Sequence, residues 1–216
     1  MTASMNTASI NPLIQGFLVC ASIIIAFGPQ NLFILRQGLR RQHLFATALL
    51  STLADLVLIV LAVGGLSTLI SNSSVIHSVV TVAGIVFLVW CGGRSLLNGY
   101  RPPSTIERAP SSTATKGLQT TILATLSFSF LNPSAYLDTL IIIGSKSLNF
   151  PIDQRLVFGV GAVLASGFWF FTLAYGASKL SPIFRSQATW RTFEVISGCI
   201  MLVIAMTIIA AQYLAP

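Results

Sequence analysis

Charge is what this chain has least of. Only 8% of its 216 residues are Asp, Glu, Lys or Arg, against about 25% in ordinary proteins, which excludes a soluble domain carrying one unusual helix. Cysteine is scarce as well. Cys20, Cys91 and Cys199 fall in three different apolar runs and form no CxxC pair, so neither a disulfide framework nor a zinc site is indicated. His43 and His77 sit at the edges of such runs without HExxH spacing. No G-x-S-x-G elbow, P-loop or G-x-G-x-x-G is present, so hydrolytic, nucleotide-driven and dinucleotide chemistry have no motif to rest on. An enzyme is not expected, nor any cofactor or bound metal.

What the chain has in abundance is apolar sequence. Hydrophobic residues make up 54% and mean hydropathy is +0.84. They fall into six blocks, 13–35, 44–70, 75–97, 117–143, 155–178 and 190–214, each long enough for a bilayer crossing of about 20 residues. The expected fold is an all-α membrane protein of six transmembrane helices, embedded in the lipid bilayer. The first block is not read as a signal peptide. Its leader MTASMNTASINPLIQ has no basic residue, and the block is too long for an h-region and carries a proline in its second half.

The net charge of +7 does not point to nucleic acid once each cation is assigned to a connection. Arg36, Arg40 and Arg41 follow the first block; Arg94, Arg101, Arg108 and Lys116 surround the link after the third; Lys179, Arg185 and Arg191 surround the link after the fifth. Only Lys146 and Arg155 lie on the opposite side, and neither terminus carries Lys or Arg. This positive-inside pattern puts three links in the cytoplasm and both termini outside. The plain reading of the arginines is topology, not substrate contact.

The polar stretch NGYRPPSTIERAPSSTATK, residues 98–116, is rich in Pro, Ser and Thr and reads as a cytoplasmic linker. It divides the chain into three-helix halves, 1–97 and 117–216. Three is odd, so the second half enters the membrane inverted relative to the first, the plan of a 3+3 inverted-topology repeat. The first block of each half carries a proline-broken polar element: Gly28-Pro29-Gln30-Asn31 and Asn132-Pro133-Ser134. Corresponding interruptions in two halves are the best sequence pointer to a transporter binding site. A proline also costs a helix interior about 3 kcal/mol and removes the donor for the carbonyl four residues back. A packing kink is the competing reading, but the amides, hydroxyls and acids near both breaks favour a site.

An Asp at the bilayer centre costs about 2.5–3.5 kcal/mol, so an acid there is a functional hypothesis. Asp55 lies about 17 Å along the second helix at 1.5 Å per residue. Thr47, Ser51 and Asp55 share one face, expected to look into the bundle. Thr121, Thr125, Ser129 and Asn132 form a second stripe, continued by Tyr136. Asp138 also lies inside its span. On an ideal helix it points about 120° away from Asn132, so only the kink at Pro133 brings it to the same cavity. Two acids inside the spans, with no Lys or Arg there, suit a cationic ligand: a proton, a metal ion or an organic ammonium.

The segments GPQNLFILRQGLRRQ at 28–42, the mid-span Asp55, LNPSAYLDTLIIIGS at 131–145 and ASGFWFF at 165–171 together resemble the lysine exporter family, whose members export L-lysine and L-arginine. The order and spacing match over nearly the whole chain. Carried over, the resemblance implies functional positions at Gly28, Pro29, Gln30, Asn31, Asp55, Asn132, Pro133, Tyr136 and Asp138. It implies a multi-pass protein of the bacterial inner membrane with L-arginine, L-lysine and protons as partners. Asp55 and Asp138 would meet the cation or carry the proton. Gln30, Asn31, Asn132 and the opened backbone would hold the α-carboxylate and α-ammonium, while the halves rock in alternating access.

Three rivals remain. An exporter of metal or other inorganic cations would want more converging carboxylates, His or thiolates. A membrane thiol electron carrier needs paired cysteines. A scaffold or receptor subunit has no use for interior acids and broken helices. Gly161 and Ala165 form a small-xxx-small pair that serves packing within the monomer or in a dimer equally well.

Overall fold

The computed structural model describes residues 11–25, 28–64, 74–100, 117–132, 135 and 137–214. Among them every regular element is helical. Helix α1 (Pro12–Ile24) starts where Asn11 accepts the Leu13 N–H at 3.0 Å and Pro12 fills the first turn, a favoured pairing of cap and proline. Helix α2 (Pro29–Arg40) is bent 81° from it. Then come α3 (Leu44–Val63), α4 (Ser74–Tyr100) and α5 (Leu118–Phe130). A π-helical segment, Leu137–Ile143, runs into the short α6 (Gly144–Ser147), followed by α7 (Ile152–Leu180), a 3₁₀ turn at Ile183–Arg185 and α8 (Gln187–Leu214).

Among the described residues, four stretches are long and apolar enough to cross a membrane alone: Leu44–Val63, Thr81–Tyr100, Ile152–Leu180 and Gln187–Ala210. The bent pair α1 and α2 makes a fifth if taken as one broken span. The block at 117–143 is not one helix, since α5 has only 13 residues before the chain breaks. Residues 65–73, most of the 98–116 linker and both chain ends fall outside the described residues.

Lipid is as apolar as Leu, so burying Leu does not hold such helices together; close backbone packing does. Here α7 is the hub, packed against α1, α2 and α3, while α4 and α8 pair along their lengths. At the α1–α7 crossing, a Cβ on Gly16 would strike the Phe158 carbonyl and one on Gly161 the Leu13 carbonyl. Gly161 is thus used inside this chain, which decides between the two uses open for it. Gly92 and Gly198 face one another in the same way between α4 and α8. Outward faces carry Val60, Val86, Leu123, Leu156, Phe168 and Met206, all more than half exposed. The polar residues turn inward: Thr47, Ser51, Asp55, Thr121, Thr125, Ser129, Asn132, Ser166 and Glu194 are all buried. Both polar stripes therefore face the bundle interior, as their spacing requires.

The basic residues gather at one end. Arg40 lies over the Trp190 ring at 5.2 Å, Arg41 Nε donates to the Ser178 carbonyl at 3.1 Å, and Arg191 Nε donates to that of Gly99 at 2.9 Å. Arg155 stands at the other end of α7, donating to the Phe150 carbonyl.

Candidate functional site

The break between α1 and α2 is complete. Gly28, extended at ψ 175°, is the N-cap of α2 and supplies no side-chain cap, and Pro29 occupies the first turn. Instead of a helix with one orphan carbonyl, two helix ends meet. Asn31 joins them: its Nδ2 donates to the Ile24 carbonyl at 2.7 Å, and its Oδ1 accepts from Trp169 Nε1 on α7 at 3.2 Å. Asn31 therefore holds the break open, beyond any contact with a ligand. An uncapped helix N-terminus carries about half a positive charge and is a ready anion site.

In the second half, α5 ends at Phe130, Leu131 forms its C-cap, and the Ala135 N–H returns to the Asn132 carbonyl at 3.2 Å. Helical order resumes as the π-helix at 137–143. Pro133 and Tyr136 lie outside the described residues, as does the side chain of Asp138. The backbone at Asp138 is not the ideal helix assumed from spacing. Short π-helical segments are frequently found at functional sites.

Both breaks line one cavity of about 290 Å³, at the small end of ligand pockets. Gly28, Gln30 and Asn31 come from the first break, and Asn132, Ala135 and Thr139 from the second. Asp55 reaches it from α3, while Ile23, Ile24, Ile59, Ile143, Phe170 and Ile204 make the apolar wall. Asp55 is 8% exposed, and its Oδ2 accepts a hydrogen bond from Ser166 Oγ on α7 at 2.7 Å. Gln30 reaches toward Asp55, yet its buried Nε2 completes no hydrogen bond. An unmade buried amide bond costs about 1–3 kcal/mol, which a ligand acceptor would recover. Of the sequence-predicted positions, Gly28, Gln30, Asn31, Asp55 and Asn132 thus converge on a single cavity, while Pro29 lies in the first turn of α2 and does not line it.

Three features escaped the sequence reading. Ser166 and Trp169 lie within ASGFWFF but were not singled out; they meet Asp55 and Asn31. Glu194, a third interior acid, is 1% exposed in α8. Arg36, expected in a cytoplasmic link, instead lies within α2 and is ion-paired to Glu194 at 2.9 Å. An acid in an apolar run wants a partner, but which residue supplies it is set by tertiary packing. Among the described residues, no three His, Cys, Asp or Glu side chains come together to hold a metal.

The model of the LysE type translocator family matches residues 21–212. The chain belongs to the LysE type translocator family. It is a transporter and not an enzyme, and a multi-pass protein of the bacterial inner membrane. Over 192 residues it is 37% identical to the "Arginine exporter protein ArgO" of Yersinia enterocolitica (serotype O:8 / biotype 1B, strain NCTC 13174 / 8081), covering 89% of this chain and 93% of that protein. Proteins with the same description from Shigella flexneri and Escherichia coli O157:H7 are 36% identical, covering 89% of this chain and 90% of each. No solved structure matches the chain.

Proposed function

We propose that this translocator carries basic amino acids, L-arginine foremost and L-lysine with it, out of the cytoplasm in exchange for protons. That it is an amino-acid exporter follows from its family and from the arginine exporters it resembles over most of its length. The basic side chain is argued from the cavity. One observation carries it: a buried carboxylate, Asp55, stands in a cavity otherwise walled by isoleucines and bounded by two helix breaks. Arginine and lysine have that form, with a cation at one end of an aliphatic stem and an α-carboxylate and α-ammonium at the other. Asp55 takes the side-chain cation, and the isoleucine wall packs the methylenes. The uncapped start of α2, with the Gln30 amide, takes the α-carboxylate. Asn132 and the last carbonyls of α5 take the α-ammonium. Tyr136 and Asp138, which the family pattern also marks, complete the proposed site.

Six spans in a 3+3 inverted repeat, halves 1–97 and 117–216 joined by a cytoplasmic linker 98–116, with both termini outside, complete the architecture we propose. The packing supports it. Exchange of first with fourth, second with fifth and third with sixth spans maps the neighbours onto one another. α3 packs on α7 and α4 on α8, each its own counterpart; α1 and α2 pack on α7 as α5 and the π-helix pack on α3. Rocking of one half against the other then exposes the cavity alternately.

Expelling one positive charge against an inside-negative potential costs about 2.3 kcal/mol per 100 mV. An incoming proton cancels that charge, and Asp55 offers a place for it, released as the cationic substrate arrives. Cells given arginine- or lysine-containing dipeptides test substrate and direction together. Those carrying the protein are expected to release the free basic amino acid faster than those lacking it; equal release contradicts the reading. Arginine flux in proteoliposomes that ignores a proton gradient of either sign would remove the proton.

A further inference from the structure

A second cavity of about 520 Å³ lies toward the basic end of the bundle. The same helices line both: α2 through Gln30 and then Arg36, α8 through Ile204 and then Glu194. Phe33, Phe128 and Met201 form a buried wall of the second cavity, Phe33 lying between Gln30 and Arg36 on α2 and Met201 between Glu194 and Ile204 on α8, with the Phe33 and Phe128 rings stacked at 4.6 Å. Two chambers lined by the same helices are what a carrier needs if its cargo is held before it crosses.

The chemistry of the second chamber centres on Glu194. Ser95 Oγ donates to Glu194 Oε2 at 2.6 Å, and Arg36 Nη2 donates to the same oxygen at 2.9 Å. Both donors use one oxygen, so the pair is single-pronged where arginine and carboxylate pair best by a two-pronged fork. Arg36 Nε is buried without a partner. Arg36 Nη2 also donates to Ser95 Oγ at 2.9 Å, so the bound edge of this ion pair is Nη2 with Oε2. It leaves an acceptor on Glu194 and a donor on Arg36, complementary to a molecule bearing a cation and a carboxylate.

We propose that this chamber is a second binding site for the transported amino acid, where Glu194 Oε1 accepts from its cationic group and Arg36 Nε donates to its carboxylate. The substrate class rests on the function proposed above; the site itself rests on the unfinished ion pair. Ligand held there passes to Asp55 when the Phe33–Phe128 pair parts.

The test is equilibrium binding of radiolabelled L-arginine to the purified full chain. Asp55→Asn is expected to keep arginine binding, and Asp55→Asn/Glu194→Gln to weaken it about tenfold or more, the value of a charge-assisted hydrogen bond. Agmatine, with the guanidinium but no carboxylate, is expected to bind Asp55→Asn more weakly than arginine does. Should Glu194→Gln misfold, the swap Arg36→Glu/Glu194→Arg keeps a buried opposite pair; on Asp55→Asn it is expected to stay monodisperse and lose arginine. If wild type transports arginine while Asp55→Asn binds none, or binds it equally with Glu194 replaced, the second site is overturned and the proposed function stands. A wild type inert to arginine and lysine overturns the function itself.

Discussion

Asp55 sits in apolar surroundings where an unpaired carboxylate is costly, and a donor from another helix, Ser166 Oγ at 2.7 Å, meets it there. Ser166→Ala should therefore slow arginine efflux about tenfold or more with little loss of protein, since one hydrogen bond to a charged group is worth about 1.5–3 kcal/mol; efflux at the wild-type rate would show the contact idle. Asn31→Ala removes the tie across the helix break to the Ile24 carbonyl and the tie to Trp169 on α7. It should lower the melting temperature of purified protein as well as export, a double effect that a purely ligand-facing amide would not give. The Thr47–Ser51–Asp55 face was legible from spacing alone, because helix geometry fixes it. Ser166 was not, because it lies 111 residues away and only tertiary packing brings it to Asp55. Glu194 and Arg36 were hidden for a related reason: each looks like a residue at a span's edge until the other is placed against it.

At the scale of elements, the interrupted helices line the cavity that holds Asp55. Proline and glycine at 28–29 announced the first break, since neither suits a helix interior. What proline alone does not announce is how far the chain turns, or that α1 and α2 become separate helices bent by 81°. Pro29→Ala supplies an N–H and removes the ring, favouring a continuous helix across the gap. Export should fall while membrane insertion is kept, and an unchanged rate would mark the break as packing only. The π-helix at 137–143 gave no sequence signal, because LDTLIII is compatible with an ordinary helix and its register is set by packing against α3 and α1. The glycine crossings are a further constraint. Gly161→Leu puts a side chain where the Leu13 backbone already lies and should destabilise the fold by about 1–3 kcal/mol, the usual cost of overpacking, read as a lower melting temperature in detergent.

For the whole molecule, two cavities are lined in turn by α2 and α8, the second of them toward the basic end. Composition and charge made membrane class and basic-end asymmetry readable, since lipid demands apolar runs and the cations collect on alternate links. The chambers were not readable, because each is assembled from elements of both halves. Orientation has its own test. In a background with Cys20, Cys91 and Cys199 replaced by Ala, a cysteine at Ser111 should resist a membrane-impermeant thiol reagent applied to intact cells and react once the membrane is opened. Labelling from outside would reverse the topology. The most direct measurement is arginine efflux from proteoliposomes holding equal amounts of wild type and Asp55→Asn. Wild type should empty arginine-loaded vesicles, and Asp55→Asn should leave only the leak of protein-free vesicles. Equal efflux from the two would contradict a carboxylate-centred carrier.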